Sequence, residues 1–164
     1  MVSKRILMVC LGNICRSPMA EGILREKTRI KGLNILIDSA GTGAYHIGEH
    51  PDSRAIKTAK KYGVDISQLH ARKFNPNDFD SFDTIYVMDS SNLEDVRALA
   101  RNKDDENKVE LLLRAAGNDE NNDVPDPWYG GMDSFDRVFK MLSNACEIIA
   151  DSLLKESISS EKSK

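Results

Sequence analysis

Arg5-Ile6-Leu7-Met8-Val9-Cys10-Leu11-Gly12-Asn13-Ile14-Cys15-Arg16-Ser17-Pro18 is the stretch from which the rest of the chain is read. Arg5–Val9 is a short apolar run of the kind that makes a buried strand. Ser17 and Pro18 read as a helix N-cap and the residue best suited to the first helical position. Between them lies a loop that opens on Cys10 and closes on Arg16. Backbone N–H groups of a strand-to-helix loop converge on one point, and the helix dipole adds positive potential there, so an oxyanion such as inorganic phosphate would be held in the cup. The Arg16 guanidinium can grip two of its oxygens side by side. The same field favours the thiolate of Cys10, which makes it a nucleophile. Singly, a strand cysteine is a small apolar residue and Gly12-Asn13 a turn. The conjunction of nucleophile, glycine, arginine, hydroxyl and proline is what points to catalysis.

Working outward, short apolar strands alternate with helical segments, which implies a parallel sheet with helices on both faces. The first helix is expected over Ser17–Ile30 with Ala20, Ile23 and Leu24 on its apolar stripe, stopped by Gly32. Leu33–Asp38 reads as the second strand, Ser39–Pro51 as a long loop and Ser53–Tyr62 as a helix ended by Gly63. Ser67–Phe82 is irregular with a short helical piece, and Asp83–Met88 is a third strand. Ser91 with Glu94 looks like a capping box that opens the next helix. Arg101–Asn107 reads as a charged loop, Val109–Leu113 as the last strand and Arg114–Asp123 as a polar mobile connection. Phe135, Val138, Phe139, Leu142, Cys146, Ile149 and Leu153 form one stripe of a long closing helix. A single domain over 1–156 is expected, with a disordered polar tail over 157–164.

A net charge of −3 argues against a nucleic-acid or anionic-membrane partner. Met1–Lys4 is polar and the apolar run after it is too short for a signal peptide, and no stretch could span a bilayer. Three cysteines, two of them within one loop, suit reduced thiols in a cytoplasm and not a disulfide framework. His46, His50 and His70 show no ligand spacing with the cysteines, so no metal and no cofactor is expected.

The stretch Cys10–Pro18 resembles the signature of the low-molecular-weight protein tyrosine phosphatases: Cys, five residues, Arg, then Ser or Thr, near the N-terminus. Further matches extend over nearly the whole chain. The resemblance implies an α/β three-layer fold, with a central four-stranded parallel sheet in the order 2-1-3-4. It implies Asp126 as general acid and base, since the family carries Asp-Pro followed by an aromatic pair here. Trp128 and Tyr129 would then flank the phenyl ring, with Trp128 where Tyr is common. Ser17 would help keep the thiolate ionised, and Asn13 would orient the loop or sit left-handed as a structural residue. Leu11 and Ile14 would floor the phenyl site. Tyr45 would line the entrance, a place that a loop aromatic covering the core fits equally well. Asp89 has a family counterpart near the site's edge, and helix capping would equally explain it. Cys15 would trap an oxidised Cys10 as a reversible disulfide. His70 falls one residue away from a family histidine, at whose place this chain has Leu69, so no catalytic role is carried over to it.

The expected substrate is therefore a phosphotyrosine-containing protein and the expected assembly a monomer. A thiol-dependent arsenate reductase would need two more cysteines in mid-chain, and there is none between Cys15 and Cys146. A non-catalytic phosphoprotein-binding module would have no use for Asp126 or for a nucleophilic thiol. Phosphoarginine-specific relatives tend to carry Thr where this chain has Ile14, which favours phosphotyrosine.

Overall fold

The computed structural model describes residues 2–118, 120 and 122–162. Four parallel strands, β1 (Lys4–Cys10), β2 (Ile35–Gly41), β3 (Thr84–Val87) and β4 (Val109–Leu111), are ordered β2-β1-β3-β4. β1 pairs with both β2 and β3 and is central, which is why its run is apolar without alternation. Its residues feed two cores. Ile6, Met8 and Cys10 face the larger one, with α1 (Arg16–Ile30), α2 (Ser53–Lys61) and α7 (Met132–Lys162). Leu7 and Val9 face the smaller one, with Phe79 from α3 (Asp78–Ser81) and Val96 from α4 (Ser90–Arg97). The three-layer arrangement and the strand order are those expected.

Several boundaries differ from the sequence reading, each for a local reason. α1 starts at Arg16, with Cys15 in the cap position and no side-chain cap bond. Ser17 is therefore inside the first turn, and its hydroxyl is turned inward instead of capping. β2 starts two residues late and runs on to Gly41, because it follows β1 in register as far as Cys10. α4 is capped by Asp89 with Asn92, not by Ser91 with Glu94. The charged stretch after Arg101 contains a helix, α5 (Lys103–Lys108), whose N-cap Asn102 accepts from the Asp105 amide. β4 ends at Leu111, and Leu112 and Leu113 belong to a short helix, α6 (Leu112–Ala115). Of the connection expected to be mobile, Asp119 and Asn121 lie outside the described residues. The disordered tail is also corrected: α7 continues through Ser157–Lys162, and Ser163 and Lys164 lie outside the described residues. Among the described residues no helix is long and apolar enough to cross a membrane.

Candidate active site

The site forms beyond the C-terminal end of β1, where open α/β sheets bind ligands. The loop after Cys10 is held from outside by its carbonyls. Cys10 O accepts from Thr42 N at 2.9 Å, Leu11 O from Gly43 N at 2.9 Å and Ile14 O from Asp52 N at 2.8 Å. Among the described residues the amides of Leu11–Cys15 have no acceptor in the protein, so they are left to serve a bound anion. β2 comes so close that a Cβ at Gly41 would sit 2.7 Å from Leu11 O, which requires glycine there.

Inside the loop, Asn13 has φ 57°, a left-handed conformation that asparagine tolerates better than most residues. Its Nδ2 donates to Ser17 Oγ at 2.7 Å and to Ser39 Oγ at 2.9 Å, and its Oδ1 accepts from Arg72 N at 3.0 Å. Ser17 Oγ lies 3.0 Å from Cys10 Sγ and 3.5 Å from Ala40 O. Because Asn13 already fills an acceptor position on that oxygen, the Ser17 proton has the Cys10 sulfur as its nearer partner. Ser39 in turn donates to the buried Glu21 at 2.7 Å. Burial pushes the Glu21 carboxyl up, and its bonds to Ser39 and Arg25 offset that in part.

Arg16 is buried and points back across the loop. Its Nη1 donates to Asp89 Oδ2 at 2.6 Å and to Val124 O at 2.9 Å, while Nη2 faces Asp126 Oδ2 at 3.8 Å. Burial works against the guanidinium charge, but the charges of Cys10 and Asp89, with Asp126 behind them, more than restore it. Asp89 therefore has both of the functions open to it: Oδ1 caps α4 through Asn92 N at 2.8 Å and Oδ2 fixes Arg16.

Asp126 arrives from a segment that is otherwise irregular. Its Oδ1 caps a short 3-10 turn, Pro127–Tyr129, through Trp128 N at 3.0 Å, which leaves Oδ2 toward Arg16. A cavity of about 490 Å³ is lined by Cys10, Leu11, Gly12, Ile14, Cys15 and Arg16 on one side. Tyr45, His46, Asp126, Trp128 and Tyr129 line the other. Tyr45 is three-quarters exposed, which favours the entrance over a core-covering place. Cys15 is buried, and burial first, then the Asp52 charge, pushes its thiol well above the ordinary range. Cys146 is fully buried on the α7 stripe, its thiol pushed up to about 12 by burial.

His46 was missed by the sequence reading. Its ring lies 5.7 Å from that of Trp128 and its Nδ1 is 2.6 Å from Glu49 Oε2. Its place beside Tyr45 in the long loop was the available signal. Asp52, whose amide holds Ile14 O of the loop, was missed as well. The His70 ring lies 4.4 Å from that of His50 at a 41° tilt on the surface, away from the cavity lining.

A strand, an anion-binding loop and a helix that together set one cysteine and one arginine around a pocket define a cysteine-dependent phosphatase. The model of the low molecular weight phosphotyrosine protein phosphatase family matches residues 5–160. The chain belongs to that family. It is 44% identical over 134 residues to the low molecular weight phosphotyrosine protein phosphatase of Schizosaccharomyces pombe, covering 80% of this chain and 85% of that one. It is 42% identical over 149 residues to the low molecular weight protein-tyrosine-phosphatase of Streptomyces coelicolor, covering 86% and 88%. The crystal structure of a protein tyrosine phosphatase from Entamoeba histolytica superposes with a TM-score of 0.88 at 34% identity, covering 94% of this chain and 99% of that one.

Proposed function

We propose that this phosphotyrosine phosphatase acts on phosphotyrosine-containing proteins through Cys10, Arg16 and Asp126. The Cys10 thiolate attacks phosphorus in line while the loop amides and Arg16 hold the equatorial oxygens. The bond from phosphorus to the phenolic oxygen breaks, and Asp126 gives that oxygen its proton. Water then attacks the phosphocysteine and passes a proton to Asp126. The sulfur–phosphorus bond breaks, which returns the thiolate and releases inorganic phosphate. Ser17 donates to the sulfur, and Leu11, Ile14, Tyr45, Trp128 and Tyr129 receive the phenyl ring. Cys15 serves as the trap for an oxidised Cys10. The single observation that carries the reading is Arg16 buried between Cys10, Asp89 and Asp126. Three free thiols fit a reducing cytoplasm, and a monomer suffices because this chain supplies every residue named.

Hydrolysis of a small aryl phosphate by wild type, Cys10→Ser and Asp126→Ala is the test. Cys10→Ser should lower kcat by at least ~10⁴-fold, and activity that survives it rules the mechanism out. Asp126→Ala should lower kcat/KM by about 10²-fold or more on a phenyl ester. A loss no larger than for a distant surface aspartate removes the acid assignment.

A further inference from the structure

An ion pair that takes no part in the chemistry above joins the two halves of the site. Asp52 caps α2, and its backbone N–H holds Ile14 O of the phosphate loop at 2.8 Å. Its carboxylate receives the Arg54 guanidinium as a fork, Nε to Oδ1 at 3.0 Å and Nη2 to Oδ2 at 3.0 Å. The remaining nitrogen, Nη1, donates to Gly130 O at 2.9 Å, at the far end of the Asp126 segment. The guanidinium carbon lies 5.5 Å from the Trp128 ring centre and 4.6 Å from that of Phe135 on α7. Every donor-bearing nitrogen of Arg54's head group is thus committed, to the phosphate-loop side through Asp52 and to the acid side directly.

We propose that Arg54 is a positioning residue of the phosphatase: anchored by Asp52 to the phosphate loop, it sets where Asp126 and Trp128 stand over Cys10. It does not reach the reacting atoms itself, and the inference rests on Asp126 being the general acid. Two features set this pair apart from an ordinary surface ion pair, which is worth little. The Asp52 side chain is 10% exposed, and its geometry is bidentate, the arrangement that adds direction as well as energy. Burial pushes the Asp52 carboxyl up, yet the Arg54 hydrogen bonds hold it below its ordinary range, so the pair stays ionised at neutral pH. Capping α2 needs one oxygen bonded to Arg54 N, which Oδ1 provides at 2.8 Å; the fork and the Gly130 bond go beyond that need. The Asp126 segment ends in Gly130-Gly131, two residues that do little to hold the chain in one conformation. Misplacing an acid by an ångström costs proton transfer far more than it costs binding.

The experiment compares kcat/KM for phenyl phosphate, a poor leaving group, with that for dinitrophenyl phosphate, which needs no acid. Both are measured on one preparation each of wild type, Asp126→Ala, Arg54→Gln and the double variant. The ratio of the two values does not depend on the folded fraction, so partial loss of structure cannot imitate the effect. Asp126→Ala should lower the ratio about 10²-fold. Arg54→Gln should lower it about tenfold with little change on the dinitrophenyl ester, and the double variant should match Asp126→Ala. Arg54→Lys, which keeps the charge and loses the fork, should behave like Arg54→Gln. Equal losses on both substrates in Arg54→Gln, or losses that multiply in the double variant, overturn the inference while leaving Asp126 as the acid. An unchanged ratio in Asp126→Ala removes the acid assignment and the inference together.

Discussion

The phosphate loop and the Asp126 segment face each other across Arg16, and they are held in opposite ways. The loop is contiguous, clamped between β1 and α1 and buried from Asn13 onward, with Asn13, Arg16 and Ser17 each no more than 3% exposed and only its rim at Leu11 open to solvent. The acid segment is exposed at Trp128 and Tyr129 and is tied by partners far off in the chain: Met88 O and Arg16 at Val124, Arg54 at Gly130. The difference follows from what each half does. An anion site gains from fixed dipoles in a dry setting, because they need not reorganise as charge builds up. An acid that must admit a bulky aryl ester and later a water needs an open edge, and such elements come from the less stable part of a fold. The loop is thus stiffened by its own neighbours, and the acid segment is aimed by two arginines from elsewhere.

Arg16 belongs to both halves, so it offers the largest way to break the contrast. Arg16→Lys keeps a charge but cannot hold Asp89, Val124 O and an anion at once. It should lower kcat by about 10²–10³-fold on any aryl phosphate, whatever the leaving group. A loss confined to poor leaving groups would instead place Arg16 with the acid half. Asn13→Ala tests the stiffness of the loop. It removes three hydrogen bonds, two of them buried, and puts alanine at a positive φ. Denaturant unfolding should show about 3 kcal/mol of lost stability, together with weaker inhibition by inorganic phosphate. A loss near zero would mean that the loop is held by its carbonyl anchors.

The smallest expected effect concerns the support of the acid half. Asp136 on α7 accepts from Tyr62, Lys61 and Lys140, and so docks α2, which carries Arg54, onto α7. These bonds hold its carboxyl far below its ordinary value of 3.8, led by the Tyr62 hydroxyl. A carboxyl depressed in the folded state adds stability above its ordinary pKa and loses it as pH falls through the folded value. Asp136→Asn should therefore lower Tm modestly at pH 7, and the gap to wild type should close progressively below pH about 4. A gap that stays constant into acid would show that packing, not charge, is what Asp136 contributes.

The phosphate loop was legible because its parts are neighbours in sequence: an apolar run, a cysteine, a glycine, an arginine and a helix start. The α7 stripe was legible because seven apolar residues fall at helical spacing. Asp126 was singled out through its Asp-Pro-aromatic context and the family resemblance, since an isolated Asp-Pro reads as a turn. Ser17 was misread as a cap, because a hydroxyl before proline fits a cap locally, while Asn13 and Cys10 compete for it in space. The helix over Lys103–Lys108 was missed because its six residues carry no apolar stripe.

By itself, then, the sequence determined the parallel α/β architecture, the oxyanion loop and the nucleophile, since each is encoded in residues that touch their chain neighbours. The tertiary structure decided how Asp126 is aimed, that Asp89 serves Arg16 as well as α4, that His46 stands in the pocket wall, and that Asp52 and Arg54 bridge the halves. Those contacts join residues dozens of positions apart, and neither periodicity nor local propensity records which distant side chains a fold will bring together.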